Sequence, residues 1–170
     1  MLIPEVKNVN GIWRGKIKLD AWNEFWEEEW LIDLNLGGDK IVTALDSKYN
    51  VGYEYLINNQ KELLKVILKE LLVNYPIMQE EYGYDDDELA EYMPNIGDIE
   101  GFKSVIQPER IYILDVEKDG LPYIGFHFKC TWDDEHDYGI MLYKDHVIKM
   151  GGADMAFLSW IATEDKNTAR

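Results

Sequence analysis

Ten consecutive residues, Cys130-Thr131-Trp132-Asp133-Asp134-Glu135-His136-Asp137-Tyr138-Gly139, hold a thiol, an imidazole and four carboxylates within one short stretch. Those types admit three chemistries. Cys130 with His136, or Glu135 with His136, could form a nucleophile–base or acid–base pair, which requires hydrogen-bond reach and a third residue to orient the base. Cys130, His136 and a carboxylate, joined by His127 or His146 from neighbouring strands, could hold a metal ion. The spacing argues against a metal: there is no C-x-x-C, no H-x-x-x-H and no second cysteine. His127 and Cys130, three apart on one extended strand, point to opposite faces. The third reading is structural. Trp132 buries against a sheet while the acids and His136 hydrogen-bond turn amides, as short polar side chains do. The structural reading is favoured, with Trp132, Asp133, Asp134, Glu135 and His136 as candidate binding residues. No metal site and no cofactor is assigned.

The stretch lies between two predicted strands, where a rigid sheet positions a loop. Strands are predicted over Arg110–Val116, Tyr123–Thr131, Gly139–Tyr143 and His146–Met150, with turns at Lys118-Asp119-Gly120 and Lys144-Asp145. Upstream, Trp13, Gly15, Ile17 and Leu19 alternate with Arg14, Lys16 and Lys18, the period of a half-buried strand. Asp20 to Glu29 admits a short helical turn or a loop. Trp30 to Leu36 is a second strand. Gly37-Gly38-Asp39 then predicts a tight turn and Ile41–Leu45 a returning strand, completing an antiparallel meander.

The strongest periodicity is helical. Leu56, Ile57, Gln60, Leu63, Leu64, Ile67, Leu68, Leu71, Leu72 and Tyr75 share one face, predicting an amphipathic helix from Tyr53 to Tyr75 with Pro76 as its stop. A weaker helical segment spans Ile77 to Tyr92. Its acids Asp85 to Glu88 lack the EF-hand spacing and suit a helix N-terminus near Glu88. A helical turn is expected around Asp98–Val105 and a last helix from Asp154 to Thr163, carrying Met155, Phe157, Leu158 and Ile161 inward. A polar, frayed tail from Glu164 follows. The expected fold class is α+β, antiparallel sheet packed against one long amphipathic helix, with shorter helices near the middle and C-terminus. All 170 residues read as a single domain.

Phe128-Lys129-Cys130-Thr131-Trp132-Asp133-Asp134-Glu135-His136, then Gly139-Ile140 and Val147-Ile148-Lys149-Met150-Gly151-Gly152-Ala153-Asp154, resembles a group of bacterial domains of unknown function. Their shared pattern reads F-x-C-x-W-D-x-E-H-G-x-G-V, with a later V-x-x-x-G-x-A-D. Asp137 stands where that pattern has glycine. Tyr53-Glu54-Tyr55-Leu56, opening a long helix that ends at a tyrosine, is similar as well. The resemblance implies a small cytosolic protein like those of bacterial toxin–immunity loci, and no catalytic role for any residue.

Bulk charge points the same way. Thirty-three acidic against 17 basic residues give a formal charge of −16, which repels phosphate backbones and suits a basic protein partner. Nucleic-acid binding is not expected. One cysteine excludes an internal disulfide, no apolar run reaches membrane-spanning length, and Met1 to Glu5 lacks the features of a secretory leader. The expected location is cytoplasmic. Glu27–Glu29 beside Trp26 and Trp30, and Asp85–Glu88, are candidate contact surfaces. A binding protein, in its sharpest form an immunity-type inhibitor of a basic toxin, competes with an enzyme or metal-dependent protein centred on Cys130, Glu135 and His136. The binding reading is preferred. Oligomeric state is not legible in the sequence.

Overall fold

Alternating apolar residues form strands because every second side chain meets the same face. In the computed structural model, which describes residue 3 and residues 5–168, seven strands form one sheet in sequential order. They are β1 (Lys7–Val9), β2 (Ile12–Ile17), β3 (Ile32–Gly37), β4 (Ile106–Lys118), β5 (Leu121–Cys130), β6 (Tyr138–Tyr143) and β7 (His146–Gly151). All neighbours are antiparallel except β3 and β4, which run parallel. A parallel pair needs a long crossover, and the segment between these strands supplies it. The α+β class expected from the sequence is the one observed, with one parallel joint in an otherwise antiparallel sheet.

The crossover contains α2 (Ser47–Tyr82), 36 residues long. Its stripe of Leu56, Leu63, Leu64, Ile67, Leu68 and Leu71 is buried against Ile32, Leu34, Ile111, Ile113, Phe126, Phe128 and Ile140 of the sheet. This helix exceeds the predicted Tyr53–Tyr75 at both ends. Asp46 caps it by accepting from the Lys48 amide at 3.0 Å. Tyr49 is buried, and Gly52 lies so close to the sheet that a Cβ would meet Ile113 Cγ2 at 2.8 Å. Pro76 does not stop the helix. A proline inside a helix costs about 3 kcal/mol, and tertiary contacts beyond it offset that penalty. Met78 is buried, Gln79 Nε2 donates to the Met93 carbonyl at 2.8 Å and Tyr82 Oη to Asp133 Oδ2 at 2.8 Å. The end comes at Gly83, in the left-handed conformation.

Asp20 to Glu29 resolves as α1 (Asp20–Trp26), with Trp22 fully buried against Phe126 and Phe128. The acidic run opens α3 (Asp86–Tyr92), where Asp85 accepts from the Glu88 amide at 2.9 Å. A 3-10 helix over Ile99–Ser104 leads into β4.

Two further expectations are corrected. Ile41–Leu45 is not a strand, and the third strand of the N-terminal meander is β1. One edge of β3 is taken by β2 and the other by β4, so no edge remains for a returning strand. The Gly-Gly-Asp turn serves another purpose. Asp39 donates its amide to the Phe157 carbonyl and accepts from the Ser159 amide, pinning the C-terminal segment. That contact also divides the predicted Asp154–Thr163 helix into a 3-10 turn (Ala153–Ala156) and α4 (Ser159–Asn167), separated by Phe157 and Leu158. Residues 164–167 are helical instead of frayed, because Asp165 is buried and accepts from Tyr123 Oη at 2.6 Å.

Both sheet faces are therefore covered, but unequally. α2 packs on one face. On the other, the Ala153–Ala156 turn and α4 cover Tyr112, Leu114, Tyr123 and Met141. The β1–β3 end of that second face is polar.

Candidate functional site

The β5–β6 connection is built outward from Trp132. Its ring is 1% exposed and meets Tyr75 and Tyr138 in edge-on contacts at 5.9 and 5.7 Å between centroids. Its Nε1 is buried without a hydrogen-bond partner among the described residues. A large apolar anchor at the start of a turn holds the following polar residues at the surface.

Asp133 is the hub of those residues. Its Oδ1 accepts from the His136 amide at 3.1 Å and faces His136 Nδ1 at 2.9 Å, while Oδ2 receives Tyr82 Oη. Burial alone would raise the carboxyl of Asp133. Hydrogen bonds from Tyr82 and His136 outweigh that effect and hold it below the usual carboxylate range. The same bond from Asp133, with its charge, raises His136 above the ordinary imidazole value. The two shifts define a pH window. The pair's contribution is complete below the unfolded imidazole value and fades as pH rises through the raised value of His136. On the acid side it is lost as pH falls through the lowered value of Asp133. An NMR titration of His136 is expected to give a pKa above about 6.5, moving back toward it in Asp133→Asn. A His136 titration identical in the two proteins would refute the pairing.

Cys130 stays apart from this pair. It is 8% exposed, its thiol donates to the Asp133 carbonyl at 3.5 Å, and burial pushes it up to about 12. A thiol held neutral is a poor nucleophile. The thiol is turned toward turn backbone, and the imidazole nitrogen Nδ1 of His136 is engaged by Asp133. Glu135 and Asp134 are exposed at the tip of the turn. His127 faces the other side of the sheet, where Nε2 meets Asp137 Oδ2 at 2.7 Å, and His146 lies 3.6 Å from Asp145 in the β6–β7 turn. The three histidines are thus dispersed. Among the described residues, no group of three His, Cys, Asp or Glu is placed to hold a metal ion. Asp137 has φ 54, the left-handed backbone that glycine adopts most readily, and aspartate is among the residues that tolerate it. Its side chain gains the His127 contact that a glycine would lack.

Three tyrosines complete the site, and the sequence reading missed them. Beside the turn, Tyr82 stacks on Tyr84 with 5.9 Å between centroids, and Tyr84 meets Tyr92 in a tilted contact at 5.6 Å. Tyr84 Oη donates to the Trp132 carbonyl at 2.6 Å, and Thr131 Oγ1 to the Tyr92 carbonyl at 2.7 Å. Together with Asp133, Asp134, Glu135 and His136 they line an open groove of about 460 Å³. Tyrosines at 82, 84 and 92 flank the acidic run Asp85–Glu88, and that flanking was the available signal. The other surface named from the sequence changes character: Trp26 is buried, with Nε1 donating to the Ile106 carbonyl at 2.9 Å. No helix among the described residues is long and apolar enough to cross a membrane.

Residues 13–158 match the family model described as a domain of unknown function, DUF6985. No curated protein and no solved structure matches the chain.

Proposed function

We propose that this chain, which belongs to the DUF6985 family of domains of unknown function, is a binding protein whose tyrosine–acid groove docks a basic segment of another protein. The observation that carries this reading is the groove itself. Exposed faces of Tyr82 and Tyr92 stand beside Asp134 and Glu135, and the acids of α3 begin two residues after Tyr84. Aromatic faces attract guanidinium and ammonium groups, and neighbouring carboxylates add directed hydrogen bonds. A chain of net charge −16 steers such a partner from a distance. Asp133, His136 and Trp132 brace the groove instead of reacting within it.

The specific form of the proposal is an immunity-type inhibitor, cytosolic and bacterial, that neutralises a basic toxin. Capture from an extract of the native host at low salt is expected to retain a basic protein. Release should follow as salt rises to about 0.5 M, since the Debye length falls toward a few ångströms. Asp134→Lys with Glu135→Lys should abolish retention without unfolding the chain, because both side chains are exposed. Retention unaffected by salt, or by the double variant, overturns the groove as the contact. A captured protein that is harmless when expressed alone overturns the immunity form.

A further inference from the structure

The second face of the sheet carries a polar row set by register. Lys16 is opposite Asp33, Asp33 opposite Arg110, and Arg110 opposite His127, so all four side chains emerge on the face away from α2. Lys7 and Arg14 pair across β1 and β2 on the same face. With Glu5, these residues line a recess of about 660 Å³, the size range of small-molecule sites. Four cations, Lys7, Arg14, Lys16 and Arg110, thus face two carboxylates in a chain with only 17 basic residues.

The internal pairing leaves positive charge over. Asp33 is shared: Lys16 Nζ contacts Oδ1 and Arg110 Nη2 reaches Oδ2 at 3.2 Å. Arg14 is exposed and has no ion pair among the described residues.

We infer that this recess binds a small anion carrying a phosphate or carboxylate group, held by Arg14, Lys16 and Arg110. The guanidinium fork matches both anions. Most of the chain's acids lie on other surfaces and are screened beyond about 8 Å at physiological salt, so the local cations dominate. This site lies across the sheet from the tyrosine–acid groove and is independent of it.

Calorimetric titration at physiological salt with pyrophosphate in one arm and citrate in the other tests the inference. Saturable binding in either arm supports it, and the arm that binds identifies the anion class. Arg14→Gln is expected to weaken binding roughly tenfold, the effect of losing a charge-assisted contact. Its unliganded melting temperature should not change, because Arg14 makes no ion pair among the described residues. Lys16→Gln should weaken binding as well. No heat in either arm at millimolar ligand, or binding that Arg14→Gln leaves unchanged, overturns the inference.

Discussion

Gly125→Ala is expected to destabilise the protein by about 3 kcal/mol or more, at the upper end of what overpacking does. Gly125 sits mid-sheet on β5, opposite Tyr112 on β4 and Met141 on β6. A Cβ there would point at the Ala153–Ala156 turn and stand 1.5 Å from the Ala156 carbonyl oxygen. No pair of heavy atoms tolerates that distance without a bond, so one backbone segment must move. β5 is hydrogen-bonded on both sides, and Ala156 is fully buried. The turn is therefore the part that lifts, uncovering Tyr112 and Met141 and pulling on the Asp39–Ser159 contact that seats α4. A denaturant titration measures the loss directly. Gly97→Ala is the matched control, since nothing lies within 4 Å of its Cβ position and no positive φ is required. A Gly125→Ala midpoint equal to that of the control would mean that the turn does not rest on the sheet as described.

Trp132→Ala should be comparably damaging, about 3–5 kcal/mol for a fully buried tryptophan. The ring joins α2 to the β5–β6 turn through Tyr75 and Tyr138, and its carbonyl receives Tyr84. Removing it opens a cavity under the groove and frees the hub at Asp133. Trp132→Phe separates packing from polarity. Phenylalanine retains much of the apolar contact and deletes an indole N–H that is buried without a partner among the described residues, so its penalty should be less than half that of alanine. Equal losses for the two variants would show that the indole nitrogen contributes more than the packing argument allows. The same pair bears on function. If the turn is a brace for a docking groove, Trp132→Phe should keep partner binding and Trp132→Ala should lose it along with the His136 shift.

Much of the site was readable because its logic is local. Trp132 is the one large apolar residue among acids, so its inward position follows from composition alone, as does the capping by Asp85 three residues before Glu88. The opposite facing of His127 and Cys130 follows from strand period. Tyr82, Tyr84 and Tyr92 were not readable in this way. Their approach to Asp133 and Thr131 joins positions about 40 to 50 residues apart, through a helix that continues past a proline.

The sequence by itself determined the kinds of element and their inward faces: the long leucine-rich helix, the C-terminal strands, the turns between them and the α+β class. These follow from side-chain periodicity and turn chemistry, which act over a few residues. Only the tertiary structure decided which edges meet. It set β4 parallel to β3 and assigned the Gly37-Gly38-Asp39 turn to the C-terminal segment. It carried α2 beyond Pro76, and it aligned Lys16, Asp33, Arg110 and His127 in one row. Each of those outcomes rests on contacts between distant segments, whose free energy outweighs local preference and leaves no periodic trace in the chain.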